Sequence, residues 1–245
     1  MAENERAALN NCGKKSIHLG MLLYALLFPF ISAAQISDTR FRRIGVEQGL
    51  SNSTINCAFQ DSRGFIWFGT RDGLNRYDGA AVIIYRNKEH DTTSISDNFI
   101  RCITEDSKHN LWIGTSYGLN RFNPVTNIFT RYTYNKANNK SISSNIINAV
   151  YSFNAGNLLV GTVGGLELFN INTSQAKHFR YNANQNDCLG NDTVNCIFGD
   201  SYKRIWIGTQ GGLNSLDQIK LTFKPCGDKK NSYHSGCKLT KREMA

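Results

Sequence analysis

Apolar residues recur along this chain in short alternating stretches that are separated by polar turns. Four such stretches predict the first strands of successive segments, and they cover residues 55–59, 100–103, 147–151 and 194–198. In the first segment a polar turn at 61–64 follows, and a second strand is predicted at 66–70. No helical periodicity accompanies these segments. The pattern therefore indicates an antiparallel all-β chain.

The sequence Gly-Thr-x-x-Gly-Leu occurs four times, which shows that the segments are repeats. Its first glycines are Gly69, Gly114, Gly161 and Gly208, and its second glycines are Gly73, Gly118, Gly165 and Gly212. The copies are spaced by 45, 47 and 47 residues. A period of this length predicts either a solenoid or a propeller.

The strands within each repeat favour the propeller. The second glycine stands where a tight hairpin needs positive φ, and a third strand is predicted after it, at 74–78 in the first copy. An outer strand carrying Phe129 and Tyr132 completes the second copy. Four short antiparallel strands per repeat describe one propeller blade. We predict an all-β propeller with about four four-stranded blades, as an open arc of a larger propeller rather than a compact four-bladed ring.

The repeats resemble a known family. The strings WFGTRDGLNRYDG, WIGTSYGLNRFNP, LVGTVGGLELFNI and WIGTQGGLNSLDQ, with the preceding turns DSRG and DSYK, are similar to two-component regulator propeller repeats. The resemblance runs from about residue 41 to residue 226. The third copy departs from the pattern, because Phe153 replaces the turn Asp, Leu159 replaces the Trp, and Glu167 and Leu168 replace the Asn-Arg pair.

The resemblance implies a function. Such repeats typically form periplasmic propellers of hybrid sensor histidine kinases that detect poly- or oligosaccharides. We therefore expect an extracytoplasmic sensing propeller whose partners are a glycan, the remaining blades and the downstream signalling domains, with a homodimer as a further candidate. The kinase activity would belong to domains that this chain lacks, so we expect no enzyme here. A free-standing secreted propeller for protein interaction or adhesion is the alternative.

The ends of the chain predict targeting and domain boundaries. Lys14 and Lys15 precede an apolar run at 17–31 and then the small residues 32–34, which is the order of a cleaved secretory signal peptide at 1–34. The mature chain would begin at Gln35, outside the cytoplasm. Blades are expected over 35–226, with one extra outer strand marked by Phe41 and Ile44, and a basic, disordered tail over 227–245.

The net charge of +9 does not indicate a nucleic-acid partner. Residues 219–245 hold seven Lys/Arg against two Asp/Glu, whereas residues 35–218 hold 18 against 15. The excess therefore belongs mainly to the tail, and no recognition motif accompanies it.

Repetition argues against catalytic readings of the conspicuous side chains. Trp67, Trp112 and Trp206 fall in one repeat column and are expected to pack between blades, like the repeat glycines named above. Asp61, Asp106 and Asp200 each stand six residues before a Trp and are expected to be turn residues. We assign no catalytic residue, metal site or cofactor. Cys57, Cys102 and Cys196 share a column with Ala149, which predicts buried, unpaired thiols.

The best candidates for ligand contact precede the first strand of each blade. They are Asn52, Asn98, Asn145 and Asp192. Polar groups gathered on one propeller face could line a shared cleft. The alternative is that these side chains cap the turn before the strand.

Overall fold

The computed structural model of the protein describes residues 42–226. The chain divides into two units, Met1–Arg43 and Ile44–Ala245, and the blades belong to the second. The predicted signal peptide, the basic tail and Phe41 lie outside the described residues. Ile44 lies in irregular backbone, ahead of a 3-10 turn at Val46–Gln48. The extra outer strand stays a prediction.

Within residues 42–226, sixteen strands form four antiparallel sheets, each a simple meander of four consecutive strands. Blade 1 contains β1 (Ile55–Gln60), β2 (Ile66–Thr70), β3 (Leu74–Tyr77) and β4 (Val82–Tyr85). Blade 2 contains β5 (Ile100–Glu105), β6 (Leu111–Thr115), β7 (Gly118–Asn123) and β8 (Ile128–Tyr132). Blade 3 contains β9 (Ile147–Asn154), β10 (Asn157–Thr162), β11 (Gly165–Asn170) and β12 (Gln175–Phe179). Blade 4 contains β13 (Val194–Gly199), β14 (Ile205–Thr209), β15 (Gly212–Asp217) and β16 (Thr222–Cys226).

The second glycine of each repeat turns the chain between the second and third strands. These glycines have φ of 122°, 115°, 137° and 115° at Gly73, Gly118, Gly165 and Gly212. A Cβ on Gly118 would also lie 2.7 Å from the carbonyl oxygen of Tyr132 on the outer strand. The hairpin therefore requires glycine for its backbone conformation, and it also requires glycine because the outer strand of the blade approaches it closely.

Neighbouring blades pack face to face over three apolar clusters. Trp67 and Leu74 of blade 1 pack against Phe122 and other residues of blade 2, and all three side chains are fully buried. Trp112 and Leu119 of blade 2 pack in the same way against blade 3. A third cluster joins blades 3 and 4. The predicted propeller class, with an open series of four blades, is confirmed.

Each of the three junctions contains a gap at a glycine, here called the glycine notch. The first glycine of each motif faces the residue that opens the first strand of the next blade. A Cβ on Gly114, for example, would lie 2.7 Å from Cγ2 of Ile147 and closer still to Sγ of Cys102. Real Cβ atoms do not approach this closely, so the notch admits an apolar side chain only because glycine lines it.

The cysteine column is partly as predicted. Cys57 and Cys102 are unpaired as predicted, but they are half-buried rather than buried where they pack against the junction clusters. Burial raises the pKa of the Cys57 thiol to about 12 and also raises the pKa of Cys102. The prediction of burial is wrong for Cys196, which is exposed. Cys196 lies on the face of blade 4 that no described blade covers.

Candidate functional site

The connectors between blades and the hairpin turns after the second strands lie at one edge of the sheets. This edge, here called the connector face, consists of connectors 86–99, 133–146 and 180–193 and of turns 71–73, 116–117, 163–164 and 210–211. In each blade the first and third strands begin at this edge, and the second and fourth strands end at it. Asn98, Asn145 and Asp192 fall within the connectors, and Asn52 precedes β1, which begins at the same edge.

Three of the four candidate residues hold the connectors in place. Oδ1 of Asn98, Asn145 and Asp192 each accepts the backbone N–H of the residue eleven positions earlier, at 2.7 Å in every case. The backbone carbonyl of Asn98 also accepts the N–H of Gly73 in the preceding blade, at 2.8 Å. These side chains therefore fix the shape of the connector face.

Asn52 occupies a different position from the other three. Counting back from the opening residues of the first strands, Asn52 is equivalent to Asn191, and Ser53 stands where Asp192 does. The Oδ1 of Asn52 accepts the N–H of Thr54 at 2.8 Å, and Asn191 makes the same bond to Thr193. Asn52 therefore caps a turn locally. The sequence alone did not separate the two positions, because both are polar and both precede a strand.

Exposed tyrosines stand beside these polar groups. Tyr117, Tyr134 and Tyr181 are 59%, 48% and 51% exposed. Tyr134 and Tyr181 follow the outer strands of blades 2 and 3, and their backbone N–H groups are those bound by Asn145 and Asp192. Within residues 42–226, the Nδ2 groups of Asn98 and Asn145 make no hydrogen bond. The connector face thus presents aromatic rings next to amide donors.

A cationic cluster lies at the same edge. The guanidinium groups of Arg71 and Arg101 lie 5.8 and 5.0 Å from the ring centroid of Phe99. Arg101 also donates from Nε to Oγ of Ser116 at 3.0 Å and from Nη1 to Oδ1 of Asn148 at 3.2 Å. Arg101 is therefore held in one orientation across blades 2 and 3.

The repeated aspartates belong to the opposite edge and are engaged in turns. The indole N–H groups of Trp67, Trp112 and Trp206 donate to Asp61, Asp106 and Asp200 at 2.9, 2.8 and 3.0 Å. Burial alone would raise the pKa of Asp200, but hydrogen bonds from Trp206 and Arg204 lower it to about 2. Among the described residues, no cluster of His, Cys, Asp and Glu side chains could hold a metal ion.

A buried acid in blade 3 replaces an amide that the other blades share. In blade 2, Oδ1 of Asn120 accepts a hydrogen bond from the backbone N–H of Ser96 at 2.9 Å. The Oγ of Ser96 lies 3.0 Å from Oγ1 of Thr115. Glu167 takes the place of Asn120 in blade 3 and is fully buried. Its Oε1 accepts hydrogen bonds from the backbone N–H and the hydroxyl of Ser143, whereas its Oε2 has no partner among the described residues.

His178 lies directly across the strand pair from Glu167. Its Nε2 donates to the carbonyl oxygen of Asn139 at 2.9 Å, and its Nδ1 lies 3.9 Å from Oε1 of Glu167. A carbonyl only accepts, so the proton of a neutral imidazole resides on Nε2 and a second proton would face the carboxylate. The carboxylate of Glu167 therefore raises the pKa of His178, against burial and the nearby Arg180. The Glu in an Asn column was the visible sequence signal for this pair.

This pair predicts a pH-dependent stability. Because the folded pKa of His178 is raised, its stabilising effect is complete below the pKa of the unfolded chain and is lost as pH rises through the folded pKa. We expect the urea midpoint to fall over that interval between about pH 5 and about pH 8. His178→Arg keeps a permanent charge, as in Arg131 of blade 2, and should flatten this component of the profile. Equal profiles for both proteins would contradict the assignment.

A family profile matches three of the four repeats that form the blades. The profile described as "Two component regulator propeller" matches residues 49–72, 94–117 and 188–211. Each matched segment runs from the residues before a first strand to the hairpin turn after the second strand. In these three segments the chain is similar to two-component regulator propeller repeats. The equivalent segment of blade 3 is not among those matched, in keeping with its lost Asp-Trp pair.

Individual relatives extend the comparison. A histidine kinase of Formosa agariphila is 45% identical over 74 residues, which are 29% of this chain and 5% of the kinase. The extracellular domain of a protein described as a hybrid two-component system of B. thetaiotaomicron superposes with a TM-score of 0.62 at 24% identity, covering 76% of this chain and 27% of that domain. The chain therefore spans a small part of the length of both.

The same fold also serves a different chemistry. A virginiamycin B lyase of Staphylococcus aureus superposes with a TM-score of 0.55 at 12% identity, covering 80% of this chain and 62% of the lyase. Because one fold hosts both kinds of protein, the superpositions establish the propeller architecture alone.

Proposed function

We propose that this chain is part of the extracytoplasmic ligand-sensing propeller of a two-component signalling protein. The proposal rests on the two-component regulator propeller repeats and on the similarity of 74 residues to a histidine kinase. Residues 42–226 contain no helix long and apolar enough to cross a membrane. The cleaved signal peptide at 1–34 and the signalling domains of the whole protein are parts of the same proposal.

The proposed ligand is a poly- or oligosaccharide that binds at the connector face. The observation that carries this choice is the pairing of exposed Tyr117, Tyr134 and Tyr181 with the unengaged Nδ2 groups of Asn98 and Asn145. Tyrosine rings offer apolar faces to the C–H groups of a sugar, and the amides can donate to its hydroxyl oxygens. The Arg71–Phe99–Arg101 cluster adds donors suited to a carboxylate on an acidic sugar.

Titration calorimetry with a panel of soluble neutral and acidic oligosaccharides would test this proposal. We expect at least one glycan to bind, and Tyr134→Ala with Tyr181→Ala to weaken its binding at least about tenfold, or about 1.4 kcal/mol. Tyr202→Ala is the matched control, because Tyr202 is 57% exposed but lies in the β13–β14 turn at the opposite edge. Equal losses from Tyr202 and from the connector-face pair, or no binding across the panel, would contradict the proposal.

A further inference from the structure

Three neighbouring side chains at the connector face depart from the repeat pattern. Arg71 lies in the β2–β3 turn of blade 1, Phe99 is the last residue of the connector before blade 2, and Arg101 lies in β5. None of the three recurs in another copy: the equivalent residues are Ser116, Val163 and Gln210 for Arg71, Thr54, Ile146 and Thr193 for Phe99, and Asn56, Asn148 and Asn195 for Arg101. A side chain that the fold itself requires recurs in each repeat, so the propeller does not require these three.

The two arginines are held around one aromatic ring. The guanidinium groups of Arg71 and Arg101 lie 5.8 and 5.0 Å from the ring centroid of Phe99, within the range of a cation–π contact. Arg101 is fixed further by its hydrogen bonds to Ser116 and Asn148. The backbone N–H of Ser116 also donates to the carbonyl oxygen of Phe99 at 3.2 Å. The ring and the guanidinium group of Arg101 are therefore both bound to one turn of blade 2.

No carboxylate in the described part of the chain balances these two positive charges. Asp72, the residue after Arg71, instead forms an ion pair with Arg86 at 2.9 Å. Asp97 lies in the connector before β5, but within residues 42–226 it forms no ion pair with either arginine. In the same range, the guanidinium group of Arg71 and the Nη2 of Arg101 make no hydrogen bond. Two adjacent cations without a counter-charge create a local positive potential that attracts an anion.

The opposite edge of blade 1 contains a similar group that does have its counter-charge. The guanidinium groups of Arg63 and Arg76 lie 5.3 and 4.8 Å from the ring centroid of Phe65. There, Arg63 forms an ion pair with the buried carboxylate of Asp61 at 3.0 Å. The group at the connector face therefore differs from this one by the acid that it lacks.

We propose that Arg71 and Arg101 bind the oxyanion of an acidic glycan, a carboxylate of a uronic acid or a sulfate ester. This inference rests on the proposed glycan function and narrows the class of ligand. Arginine donates two parallel N–H groups to such an oxyanion through short, charge-assisted hydrogen bonds. Tyr117 follows Ser116 in the turn that binds Arg101, so an exposed ring is available to the sugar whose acidic group lies on the arginines.

Titration calorimetry of the full chain with matched pairs of oligosaccharides tests this assignment. Oligogalacturonate, oligomannuronate and oligoglucuronate would each be compared with their carboxyl-reduced forms, and sulfated galactan and fucan oligosaccharides with their desulfated forms. The acidic member of at least one pair should bind at least about tenfold more tightly than its neutral counterpart. The pair that shows this difference identifies the oxyanion as a carboxylate or a sulfate.

Three variants locate the difference on the chain. Arg71→Gln and Arg101→Gln should each weaken binding of the acidic member at least about tenfold and leave binding of the neutral member unchanged. Arg71 makes no hydrogen bond within the described residues, so its variant reports on the charge even if Arg101→Gln also disturbs the turn at Ser116. Arg76→Gln removes the same charge from the group around Phe65 at the opposite edge and should bind like the unaltered chain.

The outcomes separate this inference from the proposed function. Equal affinity for the acidic and neutral members of every pair that binds would overturn the oxyanion site and leave glycan sensing in place. Equal effects of Arg71→Gln and Arg76→Gln would do the same, because they would reflect net charge alone. A panel in which no oligosaccharide binds would overturn both proposals.

Discussion

Replacement of Trp112 by alanine is expected to lower the free energy of unfolding by about 3–5 kcal/mol. The side chain is fully buried, stacks on Tyr132 at a centroid distance of 5.6 Å and meets the edge of Phe169 in blade 3 at 5.7 Å. Its indole N–H also satisfies the buried carboxylate of Asp106. The substitution would leave a cavity in a junction and would remove the shorter of the two hydrogen bonds to Oδ2 of Asp106, leaving the one from Asn110. Urea denaturation followed by circular dichroism would measure the loss.

Trp206→Ala provides the matched control within the same chain. Trp206 has the same sequence position and the same bond to an Asp, but its blade face is uncovered. The substitution Trp206→Ala should therefore lower the free energy of unfolding clearly less, by about 1–2 kcal/mol, because less apolar area returns to water. Equal losses from Trp112 and Trp206 would mean that the blade 4 face is covered in solution.

Gly114→Ala is expected to destabilise the protein by about 1–3 kcal/mol, even though the change adds a single methyl group. The added Cβ would fall within 2.7 Å of Ile147 and closer still to the Cys102 sulfur, so blade 3 must shift and the cysteine must also turn. Alanine in place of glycine ordinarily gains stability through the unfolded chain, so a loss can come only from the notch. Thermal unfolding with calorimetry would give its size.

Gly208→Ala tests the same substitution where no neighbouring blade presses on the glycine. Its added methyl would meet only Sγ of Cys196, an exposed side chain that can rotate away. We expect its effect to be smaller than that of Gly114→Ala by at least about 1 kcal/mol. The reverse order would show that the inner-strand cysteine, rather than the next blade, sets the need for glycine.

The blades were predictable because residues with the same structural role recur at the same position of each repeat. Gly118 and Trp112 mark a tight hairpin and a buried ring, and their recurrence at a fixed period separates the demands of the fold from those of function. The strand order within each sheet followed from the short polar turns. The number of described blades followed from the count of four copies.

The remaining features depend on contacts that sequence order does not contain. Cys196 shares its column with Cys102, yet it is exposed because it lies on the face of blade 4 that points away from blade 3, and no described residue of another blade packs there. Asn52 and Asn98 look alike before their strands, but only Asn98 binds a distant backbone N–H across its connector. The pairing of Glu167 with His178 required the register of two strands.

The connectors touch two blades at once. The carbonyl of Asn98 binds Gly73 in blade 1, and two positions earlier Ser96 binds Asn120 in blade 2. A molecule that bound such a connector would hold the two neighbouring blades together. Its binding energy would oppose the separation of neighbouring sheets, so that occupancy would be expressed as mechanical resistance along the series rather than as a rearrangement within any one blade.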